Sequence, residues 1–190
     1  MTDKLLIGVI HLPRLPSTQH KGGLDIEDII EGSVRESKLL EELGFGGIIV
    51  ENFGDAPYLK RVGDPLTLAV ITTITREVVK SVNVDVGLNV LRNSGLEAYS
   101  VAVATGAKFI RVNSLSEVLI TDSGIIEPEA SRLRSVRFNY PGIKVYADVV
   151  CKHGGSLSYL TYKEQRLASE TENLIRELVL DLVERDSADA

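Results

Sequence analysis

The chain has 190 residues, 44% of them hydrophobic and 25% charged, with a net charge of −6. This composition fits one soluble globular domain with a sizeable core. The charge excludes the basic footprint that nucleic acid or an anionic membrane surface requires. No apolar run approaches the roughly 20 residues of a membrane span, and Met1-Thr2-Asp3-Lys4 does not open a signal peptide. The single cysteine, Cys151, rules out an internal disulfide and fits a reducing compartment. The expected location is therefore cytoplasmic.

Leu5 to Ile10 reads as a buried strand that ends at His11. Pro13 and Pro16 then break it, and the loop to Leu24 is long for a βα connection. Asp25 and Asp28 form a capping box for a helix whose apolar residues follow the 3.6 period and which stops at Gly44. Ile48 to Val50 is a β-branched strand delivering Glu51 and Asn52 to a loop with Gly54, Asp55 and Pro57. A helix from Pro65 to Ser81 follows, with proline at its first position. Val84 to Val90 is the third strand, with Asn89, Arg92 and Asn93 at its end. Ser94-Gly95-Leu96-Glu97 reads as a capping box for a helix that ends at Gly106. Lys108 to Val112 is the fourth strand and carries Arg111 and Asn113. Thr121-Asp122-Ser123-Gly124 reads as a loop, and a helix opens at Glu127-Pro128. Ile143 to Val149 is the fifth strand, with Asp148 near its end and Lys152-His153-Gly154-Gly155 beyond. A last helix is expected over Ser169–Arg185.

Five successive βα units imply a parallel sheet with right-handed crossovers. His11-Leu12-Pro13 is not the Gly-rich phosphate turn of an open doubly wound sheet. Polar residues close every strand, which points to a TIM-type (β/α)8 barrel. Such barrels take about 250 residues, so the expectation is a single incomplete barrel domain over residues 1–190, about five units of eight.

Strand alternation sharpens the chemistry. His11, Glu51, Asn89, Arg111 and Asp148 share one parity, and their neighbours Ile10, Val50, Leu88, Ile110 and Val149 share the other. The apolar set must face helices, so the polar set converges at one rim of the lumen. Two carboxylates, an imidazole, a guanidinium and an amide suit general acid–base work. Glu51 or Asp148 would be the base, His11 the proton shuttle, and Arg111, Arg92 or Lys152 an anion clamp. Asn52, Asp55, Asn89 and Asn93 are further substrate-binding candidates, as are Asn113, Asp122 and His153. Buried charges in a barrel mouth are usually paired, so Arg111 with Glu51 or Asp148 also reads as a structural ion pair. His11, Glu51, Asp55, Asp148 and His153 could ligate a metal, but no tight ligand spacing appears, and no metal is assigned. Nothing names a cofactor. Cys151 reads as packing, and Gly154-Gly155 is a weak phosphate signal.

Several of these stretches resemble a known family. They are Gly8-Val9-Ile10-His11-Leu12-Pro13, Val50-Glu51-Asn52-Phe53-Gly54-Asp55-Ala56-Pro57, Asn89-Val90-Leu91-Arg92-Asn93, Phe109-Ile110-Arg111-Val112-Asn113, Thr121-Asp122-Ser123-Gly124-Ile125-Ile126-Glu127 and Ala147-Asp148-Val149 with Lys152-His153. They are similar to the BtpA/SgcQ family along nearly the whole chain. The resemblance implies a TIM-barrel, enzyme-like protein linked to photosystem I or membrane-complex biogenesis, with its chemistry unassigned among lyase, isomerase and hydrolase. Ser123 replaces a common glutamine and Val150 a frequent histidine, and the usual last three βα units are missing. Two functions are expected to compete: an enzyme on a small metabolite, phosphorylated ones included, and a non-catalytic assembly factor or inactive fragment. Open barrel edges would also favour homo-oligomers.

Overall fold

A computed structural model describes residues 5–18, 23–149 and 151–157. The helix expected over Ser169–Arg185 and the departure at Val150 lie outside them. The elements run β1 (Ile7–His11), α1 (Ile26–Glu42), β2 (Gly47–Glu51), a 3-10 turn (Phe53–Asp55), α2 (Pro65–Ser81), β3 (Asp85–Asn89), α3 (Gly95–Thr105), β4 (Phe109–Val112), β5 (Leu119–Thr121), β6 (Gly124–Ile126), α4 (Ala130–Asn139), β7 (Lys144–Ala147) and β8 (Gly155–Ser156). The main sheet has the order β1-β2-β3-β4-β7, with every pairing parallel. No strand order reverses, so the sheet has no switch point of the open doubly wound type. It is an incomplete TIM-type barrel, not closed within the described residues.

The starts of α1 and α2 have local causes. The Asp25 carboxylate accepts from the Ile26 N–H at 2.6 Å, and the Asp64 carboxylate accepts from the Thr67 N–H at 2.7 Å beside Pro65. Gly44 and Gly106 have φ of 87° and 86°, the left-handed values that turn a helix towards the next strand.

The capping box expected at Ser94-Gly95-Leu96-Glu97 is not formed. Ser94 makes no side-chain cap bond, and its hydroxyl accepts from the Val62 N–H at 2.9 Å. Glu129, immediately before α4, caps α3 instead by accepting from the Leu96 N–H at 3.0 Å. Glu97 pairs with Arg132 at 2.6 Å. A fully buried carboxylate from a distant element outcompetes the local one.

The stretch expected as a loop around Thr121 is a hairpin. β5 pairs antiparallel with β6 and with β8 in a small second sheet. Ile120 and Ile125 point outwards and are half exposed, while Leu119 and Ile126 are buried with Cys151.

The two faces of the main sheet carry different cores. Ile10, Ile48, Val50, Leu88, Ile110 and Val145 pack with the helices in the large core. Ile49, Phe109 and Tyr146 form a separate cluster on the lumen side, with Ile7 against it. The alternation expected from the sequence is therefore present in the packing.

Candidate functional site

The lumen-facing positions stack in layers. Ile49, Gly87, Phe109 and Tyr146 each precede a polar residue by two positions: Glu51, Asn89, Arg111 and Asp148. The apolar layer is a floor, with Phe109 and Tyr146 edge to face at 4.9 Å. The polar layer is the rim. Parallel register aligns His11 with Glu51 and Glu51 with Asn89.

Glu51 is the buried centre of the rim, 6% exposed. Its Oε2 accepts from Asn89 Nδ2 at 2.6 Å and lies 3.7 Å from Arg111 Nη1. Its Oε1 lies 3.7 Å from Nε2 of His11. The imidazole is half exposed and stacks on Phe53, with centroids 4.4 Å apart. Arg111 grips Asp148 with both arms of one edge, Nε to Oδ1 at 2.9 Å and Nη2 to Oδ2 at 3.0 Å. Asn113 Nδ2 donates to the same Oδ2 at 3.0 Å, and its own Oδ1 is buried without a partner among the described residues. Burial works against the charge of Arg111, but hydrogen bonds and charge from Asp148, and then the charge of Glu51, outweigh it. Its pKa lies above the ordinary value, so the guanidinium stays charged.

The other candidates hold the loops around this rim. Asp55 accepts from the Leu15 N–H at 2.8 Å and the Thr18 hydroxyl at 2.7 Å, tying the β1–α1 loop to the one after β2. Asn52 Nδ2 donates to Asp55 at 3.2 Å, and Asn52 Oδ1 accepts from the Leu91 N–H at 2.7 Å. Asn93 bridges the carbonyls of Ser114 and Glu127, both at 3.0 Å. Arg92 is buried over the Tyr58 ring and donates to Asp122 at 2.7 Å. Lys152 and His153 are exposed in the turn after β7. The five-residue metal set is not brought together: among the described residues no group of three or more His, Cys, Asp or Glu could hold a metal ion. Asp55 is spent on the β1 loop and Asp148 on Arg111.

Two contacts were not foreseen from the sequence, the stacking of Phe53 on His11 and of Tyr58 under Arg92. The available signal was an aromatic residue beside charged ones in each strand-end loop. Cys151 is buried next to the rim. Burial raises its pKa, and the charge of Asp148 adds to this. The backbone of His153 and the charges of Arg92 and Arg111 pull the other way.

Fold and rim together define a TIM-barrel-type α/β protein with a charged rim at its strand ends. The model of the BtpA family matches residues 2–190, and the chain belongs to that family. An uncharacterized protein of Methanocaldococcus jannaschii is 39% identical over 188 residues, covering 98% of this chain and 66% of its own length. A Pyrococcus furiosus protein is 46% identical over 153 residues, or 80% of this chain and 58% of the relative. The photosystem I biogenesis protein BtpA of Synechocystis is 39% identical over 189 residues, or 99% of this chain and 61% of the relative. The chain thus spans about 58–66% of the length of these relatives. In fold it is similar to the 7,8-dihydropteroate synthase of Vibrio fischeri, a TIM-barrel enzyme, with TM-score 0.54 and 11% identity over 92% of this chain and 60% of that one. Among the described residues no helix is long and apolar enough to cross a membrane.

Proposed function

We propose that the rim carries out general acid–base chemistry on a small anionic metabolite. The observation that supports this most is the division of labour on the Glu51 carboxylate. Oε2 is held by Asn89 and Arg111, while among the described residues Oε1 faces the half-exposed His11 at 3.7 Å. One oxygen is fixed and the other is free to take a proton. His11 then carries that proton to or from solvent. Asp148 keeps Arg111 aligned across the rim, with Arg111 Nη1 in turn 3.7 Å from Glu51 Oε2. The chemistry of this class removes or adds a proton on carbon or oxygen beside an electron-withdrawing group.

The test is solvent exchange. The full chain is incubated in D2O with a panel of small carboxylated and phosphorylated carbonyl compounds, and deuterium uptake is followed by NMR. Exchange into a bound compound is expected, falling about 100-fold or more in Glu51→Gln, since a positioned general base contributes about 10²–10⁴-fold. Exchange that survives Glu51→Gln unchanged would overturn the assignment.

The name of the Synechocystis relative favours a second reading, a part in the biogenesis of a membrane complex. An assembly factor of that kind needs a partner surface and no turnover. Glu51→Gln would then leave its assembly role intact, which separates the two.

A further inference from the structure

Arg92 carries an unfinished interaction at the margin of the rim. Its side chain is 8% exposed, and its Cζ lies 4.6 Å from the centroid of the Tyr58 ring, which covers one face of the guanidinium. Its backbone is pinned as well, the N–H donating to the Leu59 carbonyl at 3.1 Å. Nη2 donates to Asp122 Oδ1 at 2.7 Å, whereas Nε is buried and has no partner among the described residues. Nε and Nη2 are the same edge with which Arg111 holds both oxygens of Asp148. A guanidinium edge of this kind is matched to a two-oxygen anion. On Arg92 only half of it is used.

Asp122 is a loosely committed partner. It sits at the turn between β5 and β6, with its side chain 56% exposed. The turn does not depend on it. The Ser123 hydroxyl donates to the Tyr58 carbonyl at 2.8 Å, and the Thr121 hydroxyl donates to the Gly124 carbonyl at 3.0 Å. Leaving Arg92 returns the Asp122 carboxylate to water at little cost, whereas Arg92 cannot be left buried without an anion. The location also suits a ligand of the rim. Tyr58 lies within electrostatic reach of both Arg92 and Glu51, and Cys151 within reach of Arg92, Arg111 and Asp148.

We propose that Arg92 anchors an oxyanion of the ligand, a carboxylate or a phosphate, whose two oxygens bridge Nε and Nη2 and displace Asp122. Asp122 is then a built-in placeholder that keeps the buried cation neutralised in the empty protein and sets a threshold for binding. This rests on the reading that the rim receives a small anionic metabolite, and it names the group that would hold the anion.

The experiment measures binding of inorganic phosphate and of acetate to the full chain at low salt, by calorimetry and by the NMR signal of the Arg92 Nε–H. Asp122→Asn removes the competing charge and keeps the shape. It should bind at least one of the two anions roughly tenfold tighter than the parent chain, within the range of ordinary coupling between competing sites. The Arg92 Nε–H signal should shift on binding. Arg92→Lys keeps the charge without the fork and should lose the gain. Thermal melts establish that each variant is folded, and Asp122→Ser serves as the second removal of the carboxylate. Equal or weaker anion binding in both Asp122 variants would overturn the proposal, as would undiminished binding in Arg92→Lys. Preference for phosphate or acetate tells which oxyanion the anchor takes. The readout is binding, so its failure leaves the Glu51 exchange test standing, and failure of that test leaves the anchor standing.

Discussion

Gly87 faces the ring of Phe109 across the β3–β4 pairing so closely that a Cβ at position 87 would lie 2.6 Å from Cζ and nearer still to Cδ2 and Cε2. The ring needs that space. Phe109 and Tyr146 form the floor beneath Arg111 and Asp148, and a displaced floor tilts the residues above it. Gly87→Ala is expected to destabilise the fold by about 1–3 kcal/mol, the usual cost of overpacking. Adding Phe109→Leu should recover part of that loss. Urea unfolding of the single and double variants checks it, and strictly additive losses would show that the two positions are not in conflict.

Glu129 is fully buried and accepts from three elements: Arg61 Nε at 2.9 Å, Arg132 Nη1 at 2.8 Å and the Leu96 N–H at 3.0 Å. It holds the loop before α2, the start of α3 and the start of α4 together. Glu129→Ala leaves the Leu96 N–H without its acceptor and takes a buried partner from Arg61 and Arg132, which retain Glu127 at 3.7 Å and Glu97 at 2.6 Å, at an expected cost of about 1–3 kcal/mol. Glu97→Ala leaves Arg132 its second carboxylate and should cost about 1 kcal/mol or less. Denaturant midpoints for the two variants that coincide would contradict this ranking.

Cys151 makes stability fall at alkaline pH. Its ordinary pKa is 9.0, and burial raises it in the folded chain. Below that value the thiol is protonated in both states. As pH rises past it, the unfolded chain releases the proton while the folded chain keeps it. The unfolded state then binds fewer protons, so stability falls until the folded pKa is passed. Urea unfolding at pH 8 and pH 10 should show a larger loss for the parent chain than for Cys151→Ala. Equal losses would place the thiol outside the buried cluster.

β1 and β7 are the two outer strands of the main sheet among the described residues. Leu5 and Leu6 are about half exposed and Val9 more than a third, so the β1 edge is both unpaired and apolar. Such edges template pairing with other chains. Sedimentation of the 190-residue chain is expected to show concentration-dependent self-association, reduced by Leu6→Lys with Val9→Lys. A strictly monomeric chain at all concentrations would contradict this.

The sequence made the rim legible because strand parity is a short-range rule. Ile10, Val50, Leu88 and Ile110 had to face helices, and that alone put His11, Glu51, Asn89 and Arg111 on one side. Gly44 and Gly106 marked helix ends for the same local reason. The hairpin at Leu119–Ile126 was hidden because three-residue strands give too little alternation to separate from a loop. The cap of α3 was hidden for a different reason. Glu97 had the right spacing, but Glu129 arrives from 33 residues away with two arginines around it. Asp55 looked like a rim carboxylate by position, yet Leu15 and Thr18 fold back to engage it. Spacing shows which residues end a strand, and only the folded loops show which of them remain open.

The proposed ligand site is the layer of Glu51, Asn89, Arg111 and Asp148. The side-chain amides of Asn89 and Asn113 report on it directly, because their Nδ2 groups donate to Glu51 at 2.6 Å and to Asp148 at 3.0 Å. Their NH2 resonances can be followed in a 15N-labelled chain while small carboxylated and phosphorylated metabolites are titrated in. Saturable shifts of both amides with the same compound are expected, abolished by Glu51→Ala for Asn89. A compound that binds saturably and leaves both amides unmoved would place the ligand site elsewhere on the protein.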